Sequence, residues 1–327
     1  MSHVLLRRKS MVFSLLACAL AAPVVYAWAP GRTQADAPAA PAPVTVAKSA
    51  PKPLLWKASD KDNALYLLGS FHLLKDDDYP VSDDVDKAFA DAERIVFEVP
   101  PAELADPSLG QKMQQVAAYN DGRTLSQVLP PDVRERMGQV LGADHLAQLD
   151  AIEPWFINLS LLMGVSQQMG FKPEQGLDMH IARLAEAAKK PVSGLETADQ
   201  QIAVLDASPM EEQITGLRDF FDKPGEVPKL LNDTHEAWRN GDAERLGALV
   251  IDEVRTETPV TYRIINVERN DAWMPQLRQM LDGAKQGDTM VVVGAMHLLG
   301  SDGVVEKLRA KGYKVERVCS ACVPARP

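Results

Sequence analysis

Three cysteines in 327 residues, Cys18, Cys319 and Cys322, are too few for a disulfide framework, and a chain of this length can bury a core without one. Cations are also in deficit. Against 45 Asp and Glu stand 35 Lys and Arg, a formal charge of −10, which excludes a broad basic surface for nucleic acid. Several motifs are missing: a Walker phosphate loop, a Gly-x-Gly-x-x-Gly after a strand and a Gly-x-Ser-x-Gly elbow. The segment His235-Glu236-Ala-Trp-Arg239 opens like a zinc-protease helix but carries Arg where the second His is required. Nucleotide binding through those loops, elbow-type serine hydrolysis and that zinc helix are therefore set aside.

The N-terminus has a basic patch, Arg7, Arg8 and Lys9, an apolar run from Met11 to Ala22, and small residues at Val25-Tyr26-Ala27. That pattern reads as an export signal over residues 1–27. The run stops at Pro23, short of the roughly 20 residues that a spanning helix needs. No acid precedes Asp36, so removal of three cations would leave −10 − 3 = −13. The expected location is periplasmic or secreted. The alternative is a lipoprotein acylated at Cys18, with membrane association through that lipid or through an uncleaved signal. Residues 28–53 hold six Pro and eight Ala without apolar period and read as a linker. Folding is expected from Leu54 to about Val318, followed by a short tail over 319–327.

Within that span the ends read as sheet and the middle as helix. Ala64-Leu-Tyr-Leu-Leu68, Arg94-Ile-Val-Phe97 and Met290-Val-Val-Val293 are short apolar runs bounded by Gly or Pro, as buried strands are. Ser82 to Ala92 is an amphipathic helix between the first two, which makes a strand-helix-strand unit. Strand 290–293, a helix over about 302–311, Gly312 and strand 314–318 repeat that order. Pro191 to Leu195 reads as one interior strand. From about 101 to 281 the spacing is mostly helical. The fold class is α/β, with a central parallel or mixed sheet and a large helical insertion covering the site.

The chemistry lies in a repeated pattern. Strand 65–68 runs into Gly69-Ser70-Phe71-His72, and strand 290–293 into Gly294-Ala295-Met296-His297. Each His stands just past a strand's C-terminal end, the edge where open α/β sheets collect ligands. Glu98 follows strand 94–97 at the same edge, and a carboxylate there needs a cation, a metal or a proton donor as partner. Two imidazoles and a carboxylate are a common divalent-metal set with a position left for water. Zinc, manganese and cobalt all suit such ligands.

These blocks resemble the TraB/GumN/PrgY family, which includes the TIKI-type proteases and is distantly similar to ChaN-like and erythromycin-esterase-like proteins. The matching stretches are Leu67-Leu-Gly-Ser-Phe-His72, Tyr79-Pro80, Glu98, Gly176-Leu-Asp178, Gly194-Leu-Glu-Thr197, Glu268-Arg-Asn270 and Val292-Val-Gly-Ala-Met-His-Leu-Leu-Gly300 with Asp302-Gly303. The resemblance implies His72, His297 and Glu98 as metal ligands, with Glu98, Arg269 and Asn270 as catalytic residues and manganese as the favoured ion. Arg269 would hold a substrate carboxylate or an oxyanion; the plainer reading is an ion pair with Glu268 or Asp271. Asp178 and Glu196 rank second, Asp178 having a helix cap as its ordinary role.

Other groups read as structural. His145 and His235 are expected in solvated helical surroundings and His180 at the surface, while Lys75-Asp-Asp-Asp78 is expected to be a solvated loop. The apolar stretch Ala151 to Met169 is expected in core. Cys319 and Cys322 are candidates for a local disulfide. The expected function is an exported, metal-dependent, peptidase-like hydrolase acting on a peptide or another small extracytoplasmic substrate. The alternatives are a protein on the same scaffold that sequesters a peptide, haem or metal without turnover, and a thiol-disulfide exchanger.

Overall fold

The computed structural model describes residues 49–283 and 287–322. The expected signal, most of the linker, Cys18 and the last five residues lie outside them. Among the described residues the sheet has six strands: β1 Leu55–Ser59, β2 Ala64–Ser70, β3 Arg94–Phe97, β4 Val192–Gly194, β5 Thr289–Gly294 and β6 Lys314–Arg317. Their order is β4-β3-β5-β2-β1-β6. The first four in that order are parallel, whereas β1 runs antiparallel to both β2 and β6. The sheet is thus mixed.

The central strands form where the apolar runs are densest. Every residue of β2 and β5 is buried, as expected of parallel strands covered on both faces. Leu65, Leu67 and Leu68, each fully buried, contribute on the order of 1.5–3 kcal/mol apiece by leaving water. Strand β1, between β2 and β6, was not anticipated as a separate element. It is short, and its Lys57 and Ser59 interrupt the apolar signal at half-buried positions.

Helix α1, Asp83–Asp91, links β2 to β3. Three acids in its first turn favour the positive end of the helix dipole, and Val85 and Ala88 bury against the main core. The insertion supplies most of the other helices. Of these, α2 (Pro154–Gln168), α3 (Leu177–Ala188), α4 (Ala198–Asp206), α5 (Glu226–Arg239), α6 (Ala243–Glu257) and α7 (Arg269–Asp282) frame the site, and α8 (Val304–Ala310) returns the chain to β6. Trp155, Leu159, Leu162 and Met163 of α2 form part of a second apolar core. No described helix is long and apolar enough to cross a membrane.

Two expectations about polar groups fail. Asp78 is almost fully buried and His235 is 5% exposed. The imidazole Nε2 lies 2.8 Å from Asp78 Oδ2, Arg239 pairs with Asp78 Oδ1, and the Lys75 amide donates to Oδ2 at 2.8 Å. His235 falls on the buried stripe of α5 with Val227, Leu231 and Trp238. Its polarity is met by partners from a distant loop, which no local pattern could reveal. His145 is exposed and His180 half-buried against Tyr79. Cys319 and Cys322 are disulfide-bonded.

Candidate active site

Because β2, β3 and β5 are parallel neighbours, the residues that follow them emerge at one edge. The two Gly-x-x-His motifs are offset by one position: Gly69 pairs with Val293, and Ser70 with Gly294. β2 therefore continues through Ser70, whereas β5 stops at Gly294. His72, Glu98 and His297 come together around one carboxylate oxygen. Nε2 of His72 and Nε2 of His297 each lie 3.8 Å from Glu98 Oε1.

Glu98 is 5% exposed and well partnered. Oε1 accepts from the Gly294 amide at 2.6 Å, and Oε2 accepts from Arg269 Nη2 at 2.6 Å and Gln201 Nε2 at 3.0 Å. Burial by itself would raise its pKa. The Arg269 charge, the two imidazoles and the Gly294 amide together outweigh that, holding the carboxyl well below the usual carboxylate range.

Each imidazole is oriented through Nδ1. Asn270 Nδ2 donates to the Asp302 carbonyl at 2.8 Å, which turns Asn270 Oδ1 toward His297 Nδ1 at 2.7 Å. His297 thus carries its proton on Nδ1 and leaves Nε2 as an acceptor, with Arg269 Nη1 at 3.0 Å. Burial first, and Arg269 second, push the His297 pKa down to about 3, so the ring is neutral near neutral pH. His72 has the opposite setting. Burial would lower its pKa, but Asp178 Oδ1, 3.1 Å from Nδ1, raises it by charge and hydrogen bond, and the net direction is upward. Ser70 Oγ donates to the same Asp178 oxygen at 2.8 Å and accepts from the Asp178 amide at 3.1 Å. Asp178 therefore anchors the first His loop rather than capping α3.

Arg269 opens α7 directly after a π-helical turn, Arg263–Glu268, a feature frequent at functional sites. It pairs with Glu98 and Glu196; the expected alternative partner Glu268 pairs with Arg263 instead. Glu196 also accepts from Gln201 Nε2 at 3.0 Å and Trp273 Nε1 at 3.3 Å. Sequence reading missed Gln201, Ser70 and Trp273 as site members. Ser70 lay inside the first motif, but the bonds that bring Gln201 to Glu98 and Trp273 to Glu196 span 103 and 77 positions and left no local signal.

Two glycines are fixed by close approach. A Cβ on Gly176 would lie 2.4 Å from the His72 carbonyl oxygen, so α3 can deliver Asp178 only if that position is bare. A Cβ on Gly294 would stand 3.0 Å from His72 Nε2, 3.2 Å from Glu98 Oε1 and 3.7 Å from His297 Cδ2. The bare backbone leaves room for about one atom among the three groups.

No group of three His, Cys, Asp or Glu side chains among the described residues is placed to hold a metal ion. The donor types of His72, Glu98 and His297 nevertheless suit a divalent ion, and each Nε2 stands 3.8 Å from Glu98 Oε1. The Arg269 bond to His297 Nε2 is the contact that an ion would replace.

A cavity of about 70 Å³ opens beside both histidines, and a smaller one of about 20 Å³ lies against Glu98, His72 and Asp178. His72 lines both, and 12% of its side chain is exposed against 4% for His297. It is the more reachable imidazole.

A profile described as the TraB/PrgY/gumN family matches residues 54–317. The chain is 28% identical to the uncharacterized protein YbaP of Escherichia coli over 179 residues, covering 52% of this chain and 65% of that protein, a little under two thirds of its length. It is 21% identical to Metalloprotease TIKI2 of Xenopus tropicalis over 282 residues, 70% of this chain and 53% of that one. It is also 21% identical to Metalloprotease TIKI1 of Danio rerio over 312 residues, 80% and 62% of the two chains. No solved structure gives a significant match.

Proposed function

Because this chain belongs to the TraB/PrgY/gumN family, we propose that it is a hydrolase of peptide-like substrates, acting at the His72, Glu98 and His297 cluster with a divalent ion. The observation that carries the reading is the convergence of both Nε2 atoms on Glu98 Oε1, each at 3.8 Å. The metalloprotease names of two relatives support it. His72 Nε2, His297 Nε2 and Glu98 Oε1 are the atoms that would hold the ion, with manganese, cobalt and zinc all compatible with N and O donors. When bound, such an ion supplies a Lewis acid and lowers the pKa of water.

The rest of the work falls to the chain itself. Asp178 and Asn270 hold the two Nδ1 protons, so both Nε2 lone pairs face inward. His297 stays neutral because it is buried and because the fixed Arg269 charge lies beside it. Glu98 stays ionised and keeps an anionic oxygen at the site. Arg269 compensates Glu98 and Glu196 together, acting on the reacting space through its neighbours. The local disulfide fits an oxidising compartment, in line with an exported protein whose signal or Cys18 lipid lies in residues 1–27.

Hydrolysis of a peptide library by the purified chain is the test. Activity is expected to vanish with a chelator, to return with manganese, cobalt or zinc, and to be absent in folded His72→Ala and His297→Ala. Full activity in either variant overturns the proposal. Tight retention of metal and peptide without product would favour the sequestering alternative.

A further inference from the structure

We propose that the larger cavity is a specificity pocket for one aliphatic side chain of the substrate, of about leucine or methionine size, next to the bond that is cut. The proposal rests on the hydrolase reading above and adds the substrate class. The cavity lies where the two His loops meet α5 and α6. Its walls are Phe71, Leu73, Leu231, Leu246, Val250 and Met296, and its polar edge is formed by His72 and His297.

The remaining polar residues of the lining are already engaged. Ser70 Oγ donates to Asp178 Oδ1 at 2.8 Å, and Thr234 Oγ1 donates to the Leu230 carbonyl at 2.8 Å. No Lys, Arg, Asp or Glu lines the space. A charged or amide side chain placed there would lose its water and find only the two imidazoles, while an aliphatic one would meet carbon throughout. The volume sets the size. Roughly 150 Å³ holds a benzene ring, and about 70 Å³ is half of that, room for a branched or linear aliphatic chain and too little for Phe or Trp. Contact with both histidines puts such a side chain beside the reacting carbonyl, where pocket filling acts on turnover as well as on binding.

The test has two arms on the full chain. In the first, the Met296 methyl signal of ¹³C-methyl-methionine protein is followed while N-acetyl-leucinamide or N-acetyl-aspartamide is added. The leucine compound is expected to shift it and the aspartate compound to leave it unmoved, with the leucine effect lost in Val250→Phe. In the second, kcat/KM is measured on peptides varied at the residue beside the cut. Leu or Met is expected to exceed Asp by about 100-fold or more, and Val250→Phe is expected to reverse the order of Leu and Ala. Leucine-selective methyl shifts without turnover of any peptide would reject hydrolysis and keep the pocket. Turnover indifferent to that residue, or equal shifts from both compounds, would reject the pocket and keep hydrolysis. The wild-type titration decides the matter even where Val250→Phe does not fold.

Discussion

Arg269 has five N–H groups, and each is committed within the protein. Nε donates to Glu196, Nη1 to the Ile265 carbonyl and His297, and Nη2 to Glu98 and Glu196. In this arrangement none is left for a substrate, so its task is to compensate the charge of Glu98 and Glu196 and, with burial, to hold His297 neutral. Arg269→Gln is expected to destabilise the chain by about 3–5 kcal/mol, because it leaves buried charge uncompensated; the midpoint of urea unfolding measures it. Asn270 acts more gently. Asn270→Leu keeps similar bulk and removes the acceptor for His297 Nδ1, so hydrolysis and metal affinity are expected to fall about 10–100-fold. Assayed side by side with a thermal melt, this loss should far exceed any change in stability. Both residues were legible as a motif, but their partners were not. The sequence pattern marks Arg-Asn, while the assignment of Arg269 to Glu98 and Glu196 depends on where α7 packs.

At the scale of elements, the loop after β2 is held from both sides. Gly176 lets α3 touch the His72 carbonyl, and α5 grips Asp78 through His235 and Arg239. Burial opposes ionisation of Asp78, but His235, the Lys75 amide and Arg239 overcome it and bring its pKa to about 2, from 3.8. The folded pKa is depressed, so the stabilisation is complete above about pH 4 and fades as pH falls from there toward 2. Its size is on the order of 2 kcal/mol. Unfolding midpoints measured from pH 6 down to 2.5 are expected to drop across that window in the wild type, and the drop should be shallower in Asp78→Asn. The acidic loop looked solvated in the sequence because three consecutive Asp normally are. Asp76 pairs with Lys172 at the surface, whereas Asp78 is buried with a cation and an imidazole, both more than 150 positions away.

For the molecule as a whole, parallel order is what makes the site possible. β3, β5 and β2 lie side by side and point the same way, so Glu98, His297 and His72 leave the sheet at adjacent places although 225 positions separate the two histidines (297 − 72). If those atoms bind an ion, the ion stabilises the folded state by mass action, about 2.7 kcal/mol at 100 times its dissociation constant. Manganese, cobalt or zinc is therefore expected to raise the thermal midpoint of the wild type by several degrees and to leave His72→Ala unmoved. A rise of equal size in both proteins, read by calorimetry, would place the ion elsewhere.

The local pattern of residues was enough to determine the strands β2, β3 and β5, the helix α1, the two Gly-x-x-His turns and the glutamate after β3. Each depends on neighbours within a few positions, where apolar period and turn chemistry act. The tertiary structure alone decided the one-residue offset between the turns, the strand β1, the burial of Asp78 with His235, and the roles of Gln201, Asp178 and Asn270 in orienting the centre. Those are set by which distant groups become neighbours once the core excludes water. A hydrogen bond or charge pair made under that constraint leaves no periodic mark along the chain.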